Sequence, residues 1–415
     1  ITEYTLSEII ASVYDCMERT GKKEGILFID EINCVSETLA PTMLQFLQNK
    51  TFGSHSVPEG WLIAAAGNPP EYNKSVREFD IVTLDRVRRM DIEADLDVWM
   101  EYAWKKEIHG SILAYLGMKK DHFYSVENTV DGKFFVTARG WEDLSEILKA
   151  YEELGVEITE NLIGEYLCRD EIARSFFASY QLYRKYGEDY GLKRLLSGEM
   201  AEEEQQKKVK MAEGASFEER FLVTGLLLSG LNGSFLNYEK LDKETGAVYQ
   251  ELLHLKAFLH DKKDMTALDE FTDVKKKSLA VRLEAELLNL EQQTTEEFVI
   301  RTLEEFSLTI RKEHITDTET GFERIRQLFT EMVEKRKDCA KKISRELERA
   351  FAFMKACFGD GQETVLFVTG LTRNSHAAAF IREYGCDPYF ACSEKLLYRK
   401  QEKKLQEECE SLLKI

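Results

Sequence analysis

Two short apolar runs constrain this chain more than any other feature of it. Gly25 opens the run Ile26-Leu27-Phe28-Ile29, which ends in Asp30-Glu31, and Trp61 to Ala66 runs into Gly67-Asn68-Pro69-Pro70. Each is too short for a helix and is predicted as a strand buried on both faces, the state of strands in parallel sheets. Two prolines stop the second run firmly. Helical stripes surround them. Thr5-Leu6-Ser7-Glu8 has the pattern of a capping box, and Leu6, Ile9, Ile10, Val13 and Met17 then fall on one helical face. A second helix is expected from Glu37 to Gln48, with Leu39, Met43, Leu44 and Leu47 inward, and Phe52 to Glu59 reads as a hairpin or loop. Arg88 to Ile92 is expected as a third strand. Residues 1–93 therefore read as an α/β unit.

Past residue 93 the pattern changes. Residues 94–190 read as mostly helical, over Leu96 to Leu116, Trp141 to Leu154 and Ile158 to Tyr186, with a loop or small hairpin at Asp131-Gly132. Trp99, Trp104 and Trp141 are expected in their core. Residues 191–415 carry almost no strand pattern. Ala201 to Ala212 is expected as a solvated linker helix, and Leu279 to Leu290 and Phe322 to Phe353 are amphipathic and coiled-coil-like. Val365-Leu366-Phe367-Val368 fits either a strand or a buried helix.

Composition narrows the function. The 415 residues hold 56 Lys+Arg against 75 Asp+Glu, a net charge of −19, which argues against nucleic acid as a partner. No stretch of about 18 uncharged apolar residues occurs, so a membrane-spanning helix is not expected. Eight cysteines form no Cys-x-x-Cys pair, and the histidines do not cluster near them, so zinc is not expected either. Scattered thiols without a signal peptide read as reduced and cytoplasmic.

An apolar strand ending in paired acids is a modest signal alone, because many ligands bind at the carboxyl ends of parallel strands. A second such strand ending in Asn68 strengthens it. Leu84-Asp85-Arg86 follows, and then Thr137-Ala138-Arg139-Gly140-Trp141-Glu142-Asp143-Leu144. In this order the four segments resemble motifs of the MoxR-like branch of the AAA+ ATPases, over roughly residues 1–190. Gly25 to Asn33 is similar to the Walker B strand and Ala65 to Tyr72 to the sensor 1 segment. Leu84-Asp85-Arg86 resembles the place where the family carries its arginine finger, and Thr137 to Leu144 the start of its sensor 2 helix.

The resemblance implies a fold and a chemistry. The fold would be α/β: an incomplete AAA+ core with a parallel sheet over 1–93, a helical lid over 94–190, and a long all-α region over 191–415. The activity would be ATP hydrolysis with Mg²⁺, in a homo-oligomeric ring expected as a hexamer. Such a ring would remodel or activate a protein partner, with a von Willebrand factor A domain protein as the expected class. Asp30 would hold Mg²⁺ through its water shell, Glu31 would polarise the attacking water, and Asn68 would orient it. Arg86 would reach the neighbouring subunit's nucleotide, and Arg139 would touch the phosphates from the lid of its own subunit. Loss of such a finger costs roughly 10³–10⁵ in rate in related systems. Arg88 and Arg89 compete with Arg86 for that role, and Arg139 can instead pair with Glu142 or Asp143 one turn on.

One departure is severe. No Gly-x-x-x-x-Gly-Lys-Ser/Thr occurs, and Gly21-Lys22-Lys23 lacks both the upstream glycine and the hydroxyl residue. Without that loop there is no backbone cradle for phosphates. In the family the loop precedes the Walker B strand, so the resemblance implies a fragment lacking roughly a hundred residues, inactive alone. Its absence would leave unpaired edges and exposed apolar faces in the sheet. The alternative is a non-hydrolysing helical scaffold in which 191–415 binds and the core motifs are relics. A nucleic-acid motor is disfavoured by the acidic charge and by the lack of a basic-aromatic signature.

Overall fold

The apolar stripes and runs become a small sheet backed by helices, followed by a much larger helical body. The structure is a computed structural model that describes residues 8–34, 40–53, 55–69, 85, 87–129, 132–260, 262 and 264–395. Packing divides the chain into two units, one of Ile1–Glu93 with Glu270–Ile300, the other of Ala94–Asp269 with Arg301–Ile415. The expected capping box begins outside the described residues.

In the first unit, helix α1 (Glu8–Thr20) buries Ile10 and Val13 and stops at Gly21, whose φ of 68° suits a residue without a Cβ. Strand β1 (Gly25–Ile29) leads to α2 (Ala40–Asn49), then to a hairpin of β2 (Thr51–Phe52) and β3 (His55–Ser56), and then to β4 (Trp61–Ala65). β1 and β4 pair in parallel, in the register Gly25↔Trp61 through Ile29↔Ala65. A Cβ on Gly25 would come within 2.7 Å of the Trp61 ring, so this position has room only for glycine. Ile10, Val13, Ile32, Met43, Phe46, Val57 and Trp61 form the core, with Leu27, Ile29 and Ile63 packed against it.

Burial on both faces is corrected here. Leu27 and Ile29 face the core, but Ile26 and Phe28 are 65% and 62% exposed and Leu62 is 65% exposed. The reason is that α1 and α2 cover one face only, and the described sheet has two strands. Residues 88–92 form no strand; Met90 and Ile92 stand exposed in irregular chain, because among the described residues no neighbouring ladder takes up their backbone groups.

In the second unit, α3 (Leu96–Lys105) is capped by Asp95, which accepts from the Val98 N–H at 3.0 Å. The helix expected over Leu96 to Leu116 breaks before α4 (Gly110–Met118), where the His109 N–H donates to Ser145 Oγ at 2.8 Å. A hairpin of β5 (Ser125–Thr129) and β6 (Gly132–Val136) follows. Thr137 caps α5 (Ala138–Leu154), which ends at Gly155 with φ 66°. The helix expected over Ile158 to Tyr186 is also two, α6 (Glu160–Tyr166) and α7 (Asp170–Tyr190). The break exists because the Cys168 carbonyl turns aside to accept from the Phe135 N–H of the hairpin, at 3.2 Å.

The remainder is helical: α8 (Leu192–Ser197), α9 (Glu202–Glu213), α10 (Phe217–Leu259), α11 (Thr266–Glu284), α12 (Leu290–Lys312), α13 (Thr318–Phe358), α14 (Gln362–Arg373) and α15 (Ser375–Tyr384). Val365 to Val368 thus lie in a helix. α10, 43 residues and about 65 Å long, packs against α4, α7 and α13. Residues 94–190 therefore share a core with α8, α9, α10, α13, α14 and α15, with Trp99, Trp104, Trp141, Phe235, Phe353 and Phe380 all in it. The separate lid and C-terminal region expected from the sequence are joined by this packing. α9 is no free linker, since Ala212 is fully buried and the helix packs on α13. Among the described residues no helix is long and apolar enough to cross a membrane.

Candidate functional site

Parallel pairing carries the ends of β1 and β4 to the same edge of the sheet, the edge where parallel sheets bind ligands. The ladder continues past the strands: the Ala66 N–H donates to Ile29 O at 2.9 Å and the Ile32 N–H to Ala66 O at 3.0 Å. Asp30 and Glu31 occupy the turn between those two bonds. Asp30 Oδ1 accepts from the Glu31 N–H at 2.9 Å, and the Cys34 N–H closes the turn onto Glu31 O at 2.9 Å. Both acids are exposed, as is Asn68. Glu31 has φ 51°, a left-handed conformation that costs a residue with a Cβ free energy.

Asn33 joins the two strand ends. Its side-chain Nδ2 donates to Asn68 O at 2.8 Å, and the residue is only 9% exposed. Asn33 closes the Gly25 to Asn33 segment, and its position in the sequence assigns it no role. The signal was there, a single amide just after an apolar run and the two acids, but a polar residue in a turn looks like many others.

The arginines separate. Arg86 lies outside the described residues, while Asp85, Arg88 and Arg89 beside it are exposed, and Arg89 Nε pairs with Asp91 at 2.7 Å. Arg139 belongs to the second unit, exposed on the first turn of α5. Glu142, one turn on, instead accepts from the Tyr102 hydroxyl at 2.7 Å, and Arg139 makes no ion pair among the described residues. That bond holds the Tyr102 hydroxyl proton on and raises its pKa to about 12.

Two acids on one turn do not make a resident metal site, and among the described residues no group of three or more His, Cys, Asp or Glu side chains could hold a metal. They do fit Mg²⁺ brought in on a polyphosphate, which needs one or two carboxylates and takes its other ligands from water and phosphate.

A second polar cluster has the outline of a Ser–His–acid relay. Ser111 Oγ and His109 Nδ1 are 2.7 Å apart, His109 Nε2 lies 3.2 Å from Glu152 Oε2, and Tyr180 donates to Glu152 Oε1 at 2.8 Å. Ser111 is 1% exposed, so no substrate reaches its hydroxyl. The cluster caps a helix: His109 Nδ1 accepts from the Ser111 N–H at 3.3 Å at the start of α4.

Compared with protein-family models, with curated proteins and with solved structures, the chain matches none.

Proposed function

We propose that the β1–β4 tip is the hydrolytic half of a MoxR-like AAA+ ATPase site. The observation that carries this is the lacing of the Asp30–Glu31 turn to the Asn68 segment through Ile32–Ala66 and Asn33–Asn68 bonds. It sets two carboxylates and an amide at one end of a parallel sheet. Glu31 takes a proton from water as the water oxygen bonds to the γ-phosphorus of ATP, and the bond from that phosphorus to the β,γ-bridging oxygen breaks, giving ADP and phosphate. Asn68 orients the water. Asp30 would hold Mg²⁺, whose bound form offsets charge on the phosphate oxygens. Arg86, with Arg88 and Arg89 as competitors, supplies charge to a neighbouring subunit, and Arg139 senses the nucleotide. The assembly is a homo-oligomeric ring, a hexamer, that uses the hydrolysis to remodel a protein partner of the von Willebrand factor A domain class.

The open face at Ile26, Phe28 and Leu62 supports the same proposal, since a parallel sheet needs cover on both faces and neighbours on its edges. Strands carrying a phosphate-binding loop, outside these residues, would supply both. The test is Glu31→Gln in the protein that contains that loop. The expected result is a loss in kcat of about 10²–10⁴, the range for a positioned base. An unchanged kcat defeats the proposal.

A non-hydrolysing helical scaffold is the competing function, favoured by the missing Gly-x-x-x-x-Gly-Lys-Ser/Thr loop. It requires that ATP neither binds nor turns over in the whole protein, while a protein partner binds the helical unit.

A further inference from the structure

We propose that Asn33 is the positioning residue that aims Asn68 at the Asp30–Glu31 turn. This rests on the hydrolytic function proposed for those residues and adds a determinant of its rate. A main-chain carbonyl only accepts, so the Asn33 amide must turn Nδ2 toward Asn68 O, and its Oδ1 then faces Gly67. That Oδ1 is buried and, among the described residues, has no hydrogen-bond partner. A buried amide oxygen without a donor lowers stability, so an apolar residue of the same shape would serve the fold alone at least as well.

Gly67 shows how tightly the amide is held. A Cβ there would stand 2.5 Å from Asn33 Oδ1 and 2.8 Å from its Cγ, so the strand end is shaped around the Asn33 side chain. Asn33 thus grips the chain at two consecutive residues, by packing at Gly67 and by a hydrogen bond at Asn68. Its own backbone continues the turn that holds Asp30 and Glu31, tied to Ala66 O through the Ile32 N–H. The acids and Asn68 are therefore placed relative to each other through one buried amide. Small displacements of such groups have large kinetic effects: about 1 Å can cost on the order of 10²-fold.

The test measures kcat and KM for ATP in the whole protein for Asn33→Leu, Gly67→Ala, Asn68→Ala and the double variant Asn33→Leu/Asn68→Ala, with urea unfolding of each. Asn33→Leu keeps the branched outline of the side chain at a larger volume and removes the orphan oxygen. We expect kcat lower by about 10–10²-fold and KM within about twofold, with the packing cost of the larger side chain read separately in urea. Gly67→Ala displaces the amide without removing it and should lower kcat in the same way, which carries the test if Asn33→Leu does not fold. In the Asn68→Ala background, Asn33→Leu should change kcat by less than about twofold, because residues acting through one another are not additive. The proposal is overturned if Asn33→Leu and Gly67→Ala leave kcat unchanged while Asn68→Ala lowers it, or if the Asn33→Leu loss persists in full without the Asn68 side chain. No loss on Asn68→Ala overturns the role of Asn68 itself, and this proposal with it.

Discussion

The sheet of the first unit and the helices of the second treat similar apolar residues differently. Trp141, Tyr115, Phe176, Phe353 and Phe367 are fully buried, whereas Ile26, Phe28 and Leu62 stand nearly two-thirds exposed. Hydropathy does not separate the two groups. A helix satisfies its own backbone and needs cover along one stripe, which α10 and α13 supply to each other and to their neighbours. A parallel strand needs partners at both edges and cover on both faces, and among the described residues β1 and β4 have one partner each and one covered face. Helical regions can thus be complete where a sheet of the same hydrophobicity is not.

The hardest blow to the comparison should come from the helical unit. Trp141→Ala removes a fully buried side chain that packs edge-on against Phe176 at 5.3 Å and whose Nε1 donates to Phe123 O at 3.1 Å. About 4 kcal/mol of stability should be lost in urea unfolding. Phe46→Ala, the equivalent deletion in the first unit, should cost about 3 kcal/mol, because its neighbours Leu47 and Phe52 are already partly exposed and can collapse inward. Trp61 lies in the first unit and Trp99, Trp104 and Trp141 in the second. Trp61 fluorescence should therefore report a separate, earlier transition in this variant. A single shared transition would break the division into two units.

Acid should act on the helical unit through Glu152. Burial pushes the Glu152 carboxyl up, but His109, Tyr180 and Arg184 outweigh it and leave its pKa below the ordinary 4.5. A carboxyl depressed in the folded state stabilises above its unfolded pKa and loses that contribution as pH falls through the folded value. Glu152→Gln should therefore lower stability by about 1 kcal/mol at neutral pH, the difference between charged and neutral hydrogen bonds. Its unfolding curve should also be flatter than that of the unaltered protein below about pH 4.5. Equal acid slopes in the two proteins would remove Glu152 from the account.

The smallest effect sharpens the comparison most. Phe28→Lys on the open face should change the stability of this chain by no more than about 0.5 kcal/mol, as exposed substitutions do. In a protein whose further strands and helices cover that face, the same change should cost several times more. A large loss in this chain alone would mean that the face is covered here as well.

Local patterns were legible wherever the deciding neighbours are close in sequence. Ile10 and Val13 of α1 are buried in the core as their spacing predicts, and the strands on either side of residues 130–131 pair antiparallel. The strand ends with Asp30, Glu31 and Asn68 were visible as polar residues that stop apolar runs. Expectations failed where distant partners intervene. The break before His109 depends on Ser145, and the break at Cys168 on Phe135. Residues 88–92, three of them charged, form no strand, and among the described residues no ladder pairs with them.

The sequence alone determined the apolar stripes of helices such as α1 and the two short apolar runs that become β1 and β4, with the polar residues that end them, because those preferences act between residues a few positions apart. Only the tertiary structure decided that Asn33 reaches Asn68, thirty-five residues along the chain, and that Ile26, Phe28 and Leu62 stand exposed on one side of the sheet. Both follow from the parallel register and from how many layers pack on it, and neither is written in any single stretch of the chain.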